Sequence, residues 1–282
     1  MRRALDRTLF LASASCGVLA CAVLVGFLAI IFSRGHSALT WSFFTDEMRQ
    51  AGTGGGIVYN LVGTAILVGT AVVICAPFAI AIALLERVYL HNSTLRRILI
   101  GGIYTLNGVP TILFGIFGLI VFVKFFGWGK SWLTGGILLA ALILPTVSVA
   151  LIERIKSMPR KYLDAAAGLG LNESQIIWSV ILPQSWGGLL TGLLLGLARA
   201  AGETAPIMFT ATIFAGVSLP HGIHDSPVLS LPYHIFTLTQ DSFDPSQDAR
   251  LWGAAIVLLM LVLLLSLIAL PSRLRIHEEA ND

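Results

Sequence analysis

Arg199 and Glu203 are the residues of this chain best placed to handle a charged substrate, because the segment RAAGETAP (199–206) lies inside an otherwise apolar run. A charge at a bilayer centre costs at least about 2.5–3.5 kcal/mol on insertion scales, so each must face protein or water and find a partner. Four residues apart on a helix, they share a face and can pair. Pro206 removes the hydrogen bond to the Gly202 carbonyl and is expected to kink the helix just beyond them. Two readings stay open: Arg199 attracts an anion while Glu203 sets its exposure, with Thr204 beside them, or the pair only locks packing. Gly188, Gly192, Gly196 and Ala200 recur every four residues, a smooth stripe for close helix approach. The charged pair sits about one helical step away, which predicts a seam with a second chain.

Other constellations carry less chemistry. The glycine cluster 52–56 and Gly129-Lys130-Ser131 miss the pattern G-x-x-x-x-G-K-[ST], since position 124 is lysine and a span rather than a strand precedes it. The chain is therefore expected to bind no ATP itself. His221, His224 and Asp225 lie in a Pro/Gly-rich loop without a well-spaced third ligand, so no metal is expected. Cys16, Cys21 and Cys75 all fall in apolar runs and outline neither a disulfide framework nor a metal site. No His, Ser or Asp set within the spans pairs a nucleophile with a base, so no catalytic residue is expected.

The elements that must position the charged pair are membrane helices. Of 282 residues, 56% are hydrophobic and 12% charged, against about 25% charged in soluble domains. The fold class is all-α, a single polytopic domain over 1–282. Runs of about 20 apolar residues predict six transmembrane helices near 9–32, 61–85, 98–122, 133–152, 187–214 and 251–270. The first run follows Arg2, Arg3 and Arg7, and continues past Cys21, so it reads as a span rather than a signal peptide. Lys and Arg in the flanks divide 12 to 5 when both termini are cytoplasmic, which sets the orientation. The net charge of +3 is thereby a topology signal and implies no nucleic acid. Leu106-Asn107-Gly108-Val109-Pro110-Thr111-Ile112 interrupts the third run, and the outer loop 215–250 is irregular except for a short helix near 233–239.

Between the fourth and fifth runs lies a polar island, YLDAAAGLGLNESQIIWSVILP (162–183), within a loop at 153–186. Pro159 suits a helix start, Gly168 and Gly170 suit a left-handed stop, and Asn172 with Gln175 is a capping-box variant opening a second short helix. Pro183 is expected to end that helix.

Asp164-Ala165-Ala166, three residues, Gly170, nine residues, then Val180-x-Leu182-Pro183 resembles the EAA loop of bacterial ABC importer permeases, with Asp for Glu and Val for Ile. The octapeptide 199–206, the LNGVPTI segment, Leu231-Pro232 and Trp252-Gly253-Ala254-Ala255 are similar to the PstA-type permeases of phosphate ABC importers. That resemblance implies a type I importer permease in the bacterial inner membrane, with Asp164, Ala165, Ala166, Gly170, Leu182 and Pro183 in a loop that docks on a separate ATPase. It also implies a PstC-type sister permease as heterodimer partner, a PstB-type ATPase dimer that holds the ATP and magnesium, and a periplasmic phosphate-binding protein of PstS type. The alternatives are an ABC permease for molybdate or sulfate, or an ion-coupled carrier using Arg199 and Glu203 as a relay; the latter commonly shows inverted repeats, and no second copy of the island is present.

Overall fold

A computed structural model describes residues 2–49, 54–90, 92–214, 219–240 and 245–279. The chain opens with α1 (Arg2–Gly35). A short helix α2 (Trp41–Thr45), capped by the Thr40 hydroxyl, and a two-residue antiparallel hairpin follow. α3 (Val58–Leu84) continues into a π turn over Leu85–Tyr89. α4 (Ser93–Gly108) and α5 (Thr111–Gly118) meet at 93°, with a π turn over Leu119–Phe125 after them. α6 (Trp132–Lys156) starts where the Ser131 hydroxyl accepts from the Thr134 N–H.

Beyond α6 come α7 (Arg160–Gly168), α8 (Glu173–Ile176), a π turn over Ile177–Ile181, α9 (Leu182–Gly202) and α10 (Ala205–Thr210). α11 (Leu231–Gln240) and α12 (Pro245–Glu279) complete the described chain. Among the described residues, five helical segments are long and apolar enough to cross a membrane, and the bent α4–α5 pair makes six if it counts as one span. Two expected spans are thus not single helices. The run at 98–122 turns sharply at Val109–Pro110, and the run at 187–214 ends its first helix at Gly202 and restarts at Ala205.

α6 is the central helix, with Leu139, Ile143, Val147 and Leu151 at most 1% exposed between α3 and α9. The stripe on α9 faces this helix. A Cβ added to Gly188 would meet the Arg154 side chain, one on Gly192 would meet Ala150, and one on Gly196 would meet Ile143 and Val147. The seam expected with a second chain is therefore an intramolecular contact, because small residues let α9 approach α6 closely. α1 touches the bundle at one end, where Gly35 lies against the Trp252 backbone, while Leu9, Phe10, Val18 and Phe32 remain exposed. Those apolar faces suit lipid or another apolar subunit and not water.

At the far end from the loop, α11 is pinned to α3: the Leu231 N–H donates to the Thr64 hydroxyl at 2.9 Å. Beside it His234 is 5% exposed. Burial, and secondly the Arg250 charge, push its pKa down from 6.5 to about 4. The unfolded chain takes up this proton near pH 6.5 and the folded chain does so only near 4, so stability is full above 6.5 and is lost as pH falls toward 4. Detergent-solubilised protein should lose about 2 kcal/mol from this group between pH 7 and 5. His234→Gln should flatten that part of the pH profile of the thermal midpoint; an unaltered slope assigns the acid sensitivity elsewhere.

Candidate functional site

Two helix breaks meet on a partly exposed face of the bundle. Val109 and Glu203, the residues just past α4 and α9, are extended, with ψ of 129° at each. Pro206 cannot donate to the Gly202 carbonyl, which accounts for the second break, and Pro110 accounts for the first. α5 and α10 then pack so closely that a Cβ on Gly115 would lie 2.7 Å from the Ala205 carbonyl oxygen.

This packing gathers polar side chains from both breaks. Arg199 Nη1 donates to Asn107 Oδ1 at 2.9 Å, and its Nε lies 3.8 Å from Glu203 Oε1. The Thr111 side chain lies close to the Glu203 carboxylate. Arg199 and Glu203 pair, but across a helix end rather than along one helix face, since Glu203 is the residue that leaves the helix. Their side chains keep 34% and 17% of their exposure. The guanidinium is thus oriented by Asn107 and Glu203 while part of its donor set stays accessible. An oriented, accessible guanidinium can bind an oxyanion through two parallel N–H groups. Thr204 occupies the N-cap of α10.

Asn107 and Thr111 received no role from the sequence, although they flank the proline break that drew attention to the segment. The Gly129-Lys130-Ser131 triplet proves to be a cap: Lys130 Nζ donates to the Met208 and Thr212 carbonyls at 3.0 and 3.2 Å. It thereby satisfies the orphaned end of α10, and burial lowers its pKa. His224 packs edge-on against Trp128, and the Asp225 N–H donates to the Trp128 carbonyl.

The polar island forms a second site at the opposite end of α9. α7 begins after Pro159 and carries Asp164, Ala165 and Ala166, of which Ala166 is buried and the other two exposed. The Leu171 N–H returns to the Ala166 carbonyl at 3.2 Å and the Gly170 N–H to the Ala167 carbonyl at 2.9 Å. These paired bonds are a Schellman stop, and they require the left-handed φ of +77° found at Gly170; Gly168 stays helical. Asn172 and Gln175 then bond reciprocally, each at 2.9 Å, to start α8. Leu169, at the tip, is 81% exposed.

Pro183 does not end this second helix. Glu173–Gly202 is one continuous helical segment, with Leu182 and Pro183 as the first residues of α9. The π turn over Ile177–Ile181 falls where the proline ring would crowd the carbonyl four residues back. The island is therefore built onto the same rod whose last turn carries Arg199.

Residues 75–274 match the family described as binding-protein-dependent transport system inner membrane component. The chain is 31% identical over 236 residues to the phosphate transport system permease protein PstA 2 of Mycobacterium bovis, covering 83% of this chain and 76% of that one. It is 34% identical over 240 residues to the probable phosphate transport system permease protein PstA of Methanocaldococcus jannaschii, covering 84% and 79%. Among solved structures, an inward-facing MetNI methionine ABC transporter chain aligns with a TM-score of 0.57 at 14% identity, covering 79% of this chain and 94% of that one. The last likeness concerns the fold alone.

The close contact at Gly115 sets a testable contrast. Gly115→Ala drives a Cβ into backbone and should destabilise the protein by about 1–3 kcal/mol, read as a lowered thermal midpoint. Gly202→Ala, whose Cβ meets nothing within 4 Å among the described residues, should be nearly silent.

Proposed function

Since this chain belongs to the binding-protein-dependent transport system inner membrane components, we propose that it is the PstA-type permease of an ATP-driven phosphate importer. In this reading it pairs with a PstC-type permease and docks on a PstB-type ATPase dimer, which binds the ATP and magnesium. A periplasmic phosphate-binding protein of PstS type supplies the anion. Both termini and the island at 162–183 lie in the cytoplasm. The observation that carries the reading is the cluster of Arg199, Asn107, Thr111 and Glu203 at two meeting helix breaks, in a chain whose relatives are named phosphate permeases.

Arg199 supplies the attraction for phosphate, and Asn107 and Glu203 hold its guanidinium in place. Glu203 also limits the net positive charge, so that the anion is passed on rather than retained; Thr204 adjoins this path. Asp164, Ala165, Ala166 and Gly170 shape the surface that meets the ATPase. Closure of the ATPase dimer displaces the α7–α8 knob, and the helix continuous from Glu173 to Gly202 carries that displacement past Leu182 and Pro183 toward Arg199. The path opens outward to accept phosphate from the binding protein, and hydrolysis reverses the tilt. Selectivity and affinity reside mainly in the binding protein.

In vesicles containing the purified complex, phosphate-loaded binding protein should stimulate ATP hydrolysis and phosphate uptake, whereas sulfate or molybdate should not. Arg199→Lys should keep the ATPase bound but lose about ten-fold or more of uptake, since an ammonium cannot replace a two-pronged guanidinium. Stimulation by another oxyanion reassigns the cargo.

Gly170 tests the docking surface separately. Gly170→Val forces a β-branched residue to positive φ and should abolish co-purification of the ATPase, while Gly170→Asn, which tolerates that conformation, should retain it. Equal retention by both variants removes the turn from the docking surface.

A further inference from the structure

Glu86 is a carboxylate with 2% exposure in the π turn that ends α3, at the island-bearing end of the bundle. Arg96, in the first turns of α4, donates through Nε to Glu86 Oε1. Glu86 Oε2 lies 3.7 Å from Arg87 Nε, and among the described residues neither of these two atoms makes a hydrogen bond. A buried carboxylate is thus fully engaged by one arginine and loosely faced by another. A half-satisfied ion cluster is a high-energy arrangement that a small shift can improve.

Arg87 also borders two cavities. It lines a cavity of about 100 Å³ with Glu86, Arg96 and Glu153. It lines as well a cavity of about 390 Å³ beneath the island, with Leu163 and Asp164 from α7 and Glu173 from α8. Arg87, its side chain 24% exposed, therefore borders both the Glu86 cluster and the cavity that two carboxylates of the loop also line. The partner of Glu86 on its other oxygen sits in the first turn of α4, and Asn107 in the last turn of α4 holds Arg199.

We propose that Arg87 is a positioning residue that couples the loop to the anion path, exchanging between Glu86 and the loop carboxylates Asp164 and Glu173 as the loop moves. When the loop closes on its cavity, Arg87 turns to Asp164 and Glu173, and Glu86 is left to Arg96 alone. The base of α4 then shifts, and Asn107 with it. When the loop withdraws, Arg87 returns to Glu86. The π turn supplies the slack, since its i→i+5 bonding makes Leu85–Tyr89 the least regular part of the α3 rod. Asn107 and Arg199 thus receive motion from two sides, through α4 and through α9, which a pair shared between two helices requires in order to open.

The inference rests on the permease reading, so the wild-type complex in vesicles is the control: without ATP-driven phosphate uptake there, that reading fails before this one is tested. Given uptake, Arg87→Gln should keep the ATPase bound and its basal hydrolysis within about two-fold. It should lower phosphate taken up per ATP hydrolysed by about ten-fold, an ordinary size for coupling between sites. Glu173→Gln should lower the ratio in the same sense, and the double variant should be no worse than Arg87→Gln alone. An unchanged ratio, additive effects, or loss in simple proportion to lost complex overturns the proposal.

A second measurement covers the case in which Arg87→Gln does not accumulate. Val88 and Leu163 line the loop cavity from opposite elements. The Val88→Cys and Leu163→Cys double variant, in a chain with Cys16→Ala, Cys21→Ala and Cys75→Ala, should cross-link with a yield that changes at least about three-fold when the ATPase is trapped with vanadate. A yield indifferent to trapping overturns the exchange.

Discussion

Backbone groups left unpaired at breaks in apolar helices must be satisfied by protein or water, and the polar cluster of this molecule depends on that constraint. Pro110 and Pro206 each interrupt a membrane helix. The breaks are tolerable because they are placed against one another, with Gly115 admitting the α10 backbone and Lys130 closing the far end of α10. Once the breaks face each other, the polar residues beside them converge without further expense. Asn107 and Thr111 come from one break and Arg199 and Glu203 from the other. The proposed anion path thus lies where two irregular segments have to cooperate to remain in the membrane at all.

The loop shows how local chemistry turns into leverage. The spacing from Ala166 to Gly170 is what a Schellman stop needs, since the carbonyl of Ala166 and the left-handed glycine are tied by the Leu171 N–H. The capping box at Asn172 begins the next helix at once, so little slack separates the knob from the rod. Because the helix passes through Pro183 rather than stopping there, the knob and the Arg199 end of α9 belong to one body. The glycine stripe then lets α9 lie flat on α6.

How much was legible depended on whether a feature is decided within one segment. The helical class, the left-handed stop at Gly170, the α11 segment and the Asn172–Gln175 box all follow from residues within a few positions of each other, and each is found, whereas Gly168, which also suited that stop, stays helical. The errors share one cause. Pro183 was expected to stop a helix because proline removes a donor, but a neighbouring π turn absorbed it. The stripe on α9 announced a close partner without saying which helix it would be, and α6 of the same chain took the place. Glu203 was expected on the helix face of Arg199, yet the break came one residue earlier.

From the sequence alone came the membrane class, the position of the polar island, and the presence of a charged pair inside a span, because insertion cost, hydropathy and capping act locally along the chain. Only the tertiary structure decided that Asn107 holds Arg199, that Glu86 is shared between Arg96 and Arg87, and that the island is continuous with α9. Apolar helix faces are nearly interchangeable by composition, so the choice of neighbour falls to shape, to the placement of glycine, and to the few polar groups that cannot be left unpaired.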